Sequence, residues 1–140
     1  MFTRKFVVVA ALAAGALAPA ASLAATGAEK PPCILRDYQV KAVTPYRLDA
    51  QAGKISYKRL AGARVFLEAQ PGLTAEWLRV RLGRHMAEMR GPATMRDCAF
   101  DMKDVNVQVD PAGTGFNVTF TAKDTEQAKE VLRRAQLLLG

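Results

Sequence analysis

The chain has 140 residues, half of them apolar, and carries 20 basic against 13 acidic side chains for a formal charge of +7. That length excludes a multidomain enzyme or a domain built around a large cofactor fold. The charge is uneven: residues 25–96 hold 13 basic and 6 acidic side chains (13 − 6 = +7), and residues 97–140 hold 5 and 7 (5 − 7 = −2). A dipolar protein of this kind can present its first half to an anionic surface, although the plainer role of the charge is to keep the domain dispersed.

At the start, Arg4 and Lys5 precede an apolar run from Phe6 to Leu17 and an alanine-rich stretch ending near Ala25. Basic start, short apolar core and small residues make a secretory signal of bacterial type, and the core falls short of the roughly 20 apolar residues that span a bilayer. Cleavage after Ala24 sets Ser22 and Ala24 before the cut and leaves 140 − 24 = 116 residues. The expected organisation is a signal over 1–24, a flexible lead over 25–32 kept extended by Pro31 and Pro32, and one domain over 33–140. The expected location is periplasmic or secreted, with no transmembrane segment in the mature chain.

In that setting Cys33 and Cys98, the two cysteines, are expected to form one intramolecular disulfide. Closing a loop of about 65 residues is worth on the order of 4 kcal/mol by chain entropy. They lie too far apart in sequence for a thiol-disulfide catalytic motif.

Downstream, Ile34 to Val43 alternates Tyr38, Val40 and Ala42 with polar residues and reads as an edge strand interrupted by Pro45. Tyr46–Leu48 and Ile55–Lys58 flank Asp49-Ala50-Gln51-Ala52-Gly53, a candidate hairpin loop. Arg64–Ala69 is a strand with Val65 and Leu67 on one face and Phe66 on the other, ended by Pro71 and Gly72. Thr74 then caps a helix, with Leu73 stapled onto Leu78, and Gly91-Pro92 ends it near Arg90. Gly83 in its middle marks a close approach to the sheet or has no role. Lys103–Asp110 and Gly115–Thr121 alternate apolar and polar residues as two strands joined through Asp110–Gly115. Asp124 caps a last helix, Gln127 is placed to return the bond, and Ala128, Val131, Leu132, Ala135, Leu138 and Leu139 form its apolar stripe.

These elements predict a small two-layer α+β domain, an antiparallel or mixed sheet with both helices on one face. The order strand, helix, strand, strand, helix from Arg64 onward resembles a ferredoxin-like plait that lacks its closing strand. The resemblance is architectural and implies no activity.

His85, the sole histidine, shares a helical face with Leu78, Leu82 and Met89. With Met86 and Met89 it forms a soft-ligand set suited to copper(I), to which Met95 and Met102 could add thioethers. The plainer role for a lone histidine on such a stripe is that of an interior residue. Catalysis is not expected. A serine triad would have to recruit Ser56, and Glu68, Glu76 and Glu88 look like ordinary surface carboxylates. Trp77 points away from the main stripe towards Arg81 and Arg84, a composition found at interface hot spots. Its plainer alternative is to pack beneath the loop around Pro71. The expectation is therefore an exported, non-enzymatic accessory or binding protein. Its ligand would be an envelope protein or an anionic envelope component, with periplasmic copper binding as the alternative. Nucleic acid is not an expected partner, because the basic residues are not massed among stacking aromatics.

Overall fold

The computed structural model describes residues 33–89, 98–99 and 101–140. The proposed signal and lead, the Gly91-Pro92 helix end and Met95 lie outside them. Four strands, β1 (Val40–Ala52), β2 (Ile55–Glu68), β3 (Asn106–Ala112) and β4 (Gly115–Thr121), and two helices, α1 (Ala75–Met89) and α2 (Thr125–Gln136), follow in the order β1-β2-α1-β3-β4-α2. All pairings are antiparallel and the sheet order is β1-β2-β4-β3.

Register sets the core. Val43, Val65, Val118 and Val109 are successive cross-strand partners, forming one valine row across the whole sheet. Ala63 with Phe120 and Leu67 with Phe116 flank it on the same face, since side chains on a strand alternate. Leu78, Leu82 and Met89 of α1 and Ala128, Val131 and Ala135 of α2 join the same buried cluster, so both helices cover one face of the sheet. The α+β expectation therefore holds.

Chain order and strand order together explain the absent closing strand. From β2 onward the chain makes a split β-α-β unit, β2 and β3 flanking β4, followed by α2, as in a ferredoxin-like plait. The place beside β2 that a closing strand would fill is taken by β1, from the other end of the domain.

Several local expectations are corrected. Ile34–Asp37 is a 3-10 turn, and the edge strand begins only at Val40. Pro45 does not interrupt it but pairs with Ala63, because an edge strand tolerates a nitrogen without a hydrogen on its open side. Asp49 to Ala52 is strand, and the turn is Gly53-Lys54, with Gly53 at φ 61°. The second hairpin likewise turns at Gly113-Thr114, which leaves Pro111 and Ala112 in β3. That strand starts three residues later than the alternation suggests, because Asp104 takes a left-handed conformation (φ 59°) incompatible with an extended run. In α2, Asp124 Oδ1 accepts from the Gln127 amide at 2.8 Å, but the Gln127 side-chain oxygen makes no return bond. Leu139 leaves the apolar stripe because the chain tightens into a 3-10 turn over Leu137–Leu139, and it is half-exposed.

Cys33 and Cys98 are disulfide-bonded across 65 residues. The clasp joins the start of the domain to the segment after α1. Arg134 of α2 fastens the same place, donating from Nη1 to the carbonyls of Cys98 (3.3 Å) and Asp101 (3.0 Å) and from Nε to Glu130 (2.8 Å). Both cysteines are buried in the core cluster.

Candidate binding surface

A turn and a cap aim the first turn of α1. Leu73 donates its amide to Gln70 O at 3.0 Å across Pro71-Gly72, with Gly72 at φ 79°, the proline-glycine chemistry of a type II turn. Thr74 Oγ1 then accepts from the Trp77 amide at 3.2 Å, as an N-cap does. Leu78 is buried in the core cluster and the half-buried Leu73 packs against that cluster, consistent with the expected staple.

With Ala75, Leu78, Leu82, His85 and Met89 buried, the adjoining stripe of the helix carries Trp77 and Arg81 on the surface. Trp77 remains 45% exposed. The Arg81 guanidinium lies 4.9 Å from the centre of the Trp77 ring and 6.0 Å from that of Tyr38, and its Nη2 donates to Asp37 Oδ2 at 3.2 Å. One cation thus stacks against two aromatic rings while a carboxylate fixes its position. Burial pushes the Tyr38 phenol up, and the Arg81 charge beside it works the other way.

Trp77 and Arg81 form the ridge between two shallow grooves. One, of about 440 Å³, is lined by Ile34, Val80, Arg84, His85 and Glu88 as well as the ridge. The other, of about 340 Å³, is bounded by Asp37, Tyr38 and the Gln70–Leu73 turn. Trp77 lines the second groove together with Pro71 and keeps an open flank. Arg84 shares the first groove. Asp37 and Tyr38 lie 44 and 43 residues before Arg81, in a stretch whose alternation suggests strand, and no local signal links them to the helix.

The remaining candidates border different cavities. His85 is buried, and burial holds its imidazole below the ordinary value, with Glu88 and then Asp37 opposing the shift. Met86 and Met89 line a different cavity, of about 390 Å³, with Met102, Asp101 and Asp104. Among the described residues no group of three or more His, Cys, Asp or Glu side chains is arranged to hold a metal. Ser56 stands opposite Gln51 near the end of the β1-β2 hairpin, on a fully exposed stretch. Arg79, which carries no distinguishing sequence signal, donates from Nε and Nη2 to Val109 O at 3.1 and 2.7 Å and ties α1 to the β3 edge.

The chain matches no known protein-family model, no curated protein and no solved structure.

Proposed function

We infer that the protein is an exported, non-enzymatic binding domain that engages a protein partner through Trp77, Arg81 and Arg84. The observation carrying this reading is the stacked Trp77–Arg81 pair, held by Asp37 and Tyr38 yet open to solvent between two grooves. An exposed aromatic with an ordered arginine loses little conformational freedom on binding, which is why such pairs recur as interface anchors. An anionic envelope component is the other ligand class compatible with the positive first half of the chain.

Export is supported by the leader composition and by the buried disulfide, a bond that persists in oxidising compartments. Copper(I) binding through His85 and Met89 remains the alternative. It gains no support from the cavities, since His85 borders one and Met86 and Met89 another.

The test is photocrosslinking in the expressing cell from a benzophenone amino acid at Val80, which is 64% exposed and lines the larger groove. The expected result is a discrete protein adduct that disappears with Arg81→Ala and is absent from a probe at Gln108 on the opposite sheet face. Equal labelling from both positions, or an adduct indifferent to Arg81, contradicts the assignment.

A further inference from the structure

The β1-β2 hairpin outgrows the sheet. β4 pairs with β2 only from Gly62 to Glu68, whereas β1 and β2 continue as a ribbon of two strands through Leu48↔Arg59, Asp49↔Lys58, Ala50↔Tyr57, Gln51↔Ser56 and Ala52↔Ile55. Every residue from Gln51 to Lys58 is exposed. A ribbon of two strands adds little stability by itself, so its side chains are free of the demands of the core.

Its two faces differ. Paired residues share a face and successive pairs alternate. One face therefore carries Leu48, Ala50, Ala52, Ile55 and Tyr57 with Arg59, and the other carries Asp49, Gln51, Ser56 and Lys58. Ile55 is 70% exposed and Tyr57 is 47% exposed, both close to the Gly53-Lys54 turn. Residues 47–60 include four basic side chains, Arg47, Lys54, Lys58 and Arg59, against the single acid Asp49. That acid is bound to Lys58 at 2.7 Å. The open sheet face continues the charge with Arg64, stacked 5.0 Å from the Tyr46 ring.

An apolar tip ringed by cations complements an anionic lipid surface: isoleucine enters the acyl boundary, tyrosine sits at headgroup level, and lysine and arginine reach the phosphates. We propose that the β1-β2 arm docks the protein on anionic bilayers through Ile55 and Tyr57, with Arg47, Lys54, Lys58 and Arg59 as the electrostatic collar. This goes beyond the Trp77 surface and uses none of its residues. Trp77 adjoins Tyr38, just before β1, while the arm tip follows the end of that 13-residue strand, so the two sites lie about 40 Å apart along the hairpin.

The test is flotation with vesicles of pure phosphatidylcholine and of phosphatidylcholine with phosphatidylglycerol. The protein is used as recovered from the expressing cell, wild type and variants processed alike. The expected result is binding to the anionic vesicles alone, weakened at least tenfold by Ile55→Ser with Tyr57→Ser, and comparably by Lys54→Gln with Arg59→Gln. A fluorophore on Ala52→Cys should shift to the blue on the same vesicles. Lys54, Ile55 and Tyr57 are exposed and Arg59 is half-buried on a ribbon outside the core, so the variants should melt like wild type. Equal binding of variants and wild type, equal binding to neutral vesicles, or no binding overturns the proposal. So does a wild-type dimer that Ile55→Ser dissociates, which would make the arm a contact between copies of the chain.

Discussion

Arg133 and Arg134 look alike in the sequence, two cations near a helix end where the macrodipole favours them. Packing separates their roles. Arg134 is drawn against the segment that carries Cys98, and its donors satisfy two backbone carbonyls there. Hydrogen bonds from Arg133 and Arg134 hold the Glu130 carboxyl at about 2, well under its ordinary 4.5. Arg134→Ala should lower stability by about 2 kcal/mol in urea unfolding, because the carbonyls lose a charged donor. It should also bring the Glu130 titration, followed by NMR, up towards 4.5; an unmoved titration would show that Arg133 alone sets it. His85 supplies the second test at this scale. Burial lowers its pKa from 6.5, so the unfolded chain takes up a proton that the folded chain resists. Its contribution to stability is therefore complete above about pH 6.5 and is lost as pH falls from there towards the lowered folded value. His85→Phe should flatten the fall in melting temperature between about pH 7.5 and 5.5, and an unchanged slope would assign that fall to other groups.

Element by element, the legible parts were those in which one local pattern decides the outcome. The alternation in Gly115–Thr121, the Thr74 and Asp124 caps and the stripe of α1 are all found as expected. Misread parts depended on the neighbour a segment acquires. Pro45 reads as a break until β1 is known to be an edge, and Asp49 to Ala52 reads as loop because their alternation serves an arm with no core beneath it. The Arg81 cluster was half legible: Trp77, Arg81 and Arg84 by helical spacing, Asp37 and Tyr38 not at all, because only the tertiary fold brings them to α1. Glycines make the same distinction measurable. A methyl group at Gly62 would run into the Phe120 carbonyl oxygen of the neighbouring strand, whereas one at Gly83 would meet open space. Gly62→Ala should therefore cost about 3 kcal/mol. Gly83→Ala should stabilise by up to about 1 kcal/mol through helix propensity, ending the notion that Gly83 marks a close approach to the sheet. Thermal unfolding of the two variants in parallel checks both signs.

At the scale of the molecule, a first strand borrowed from the start of the chain completes a plait that would otherwise lack one edge. The covalent clasp at Cys33 holds the segment leading into that strand against the core. This arrangement leaves two features with no part in the core: the Trp77–Arg81 ridge near one end of the long hairpin and the basic, apolar-tipped arm at the other. Both features set exposed apolar side chains beside cations, the composition on which the two proposed contacts rest. The proposed function requires export to an oxidising compartment, in which the clasp would form and the proposed leader would be cut away. The most direct measurement is the intact mass, with and without a thiol-alkylating reagent, of the protein recovered from its own cells. The account predicts a chain beginning at Ala25 that takes up no reagent until it is reduced. A full-length chain that alkylates at both Cys33 and Cys98 without reduction would contradict it.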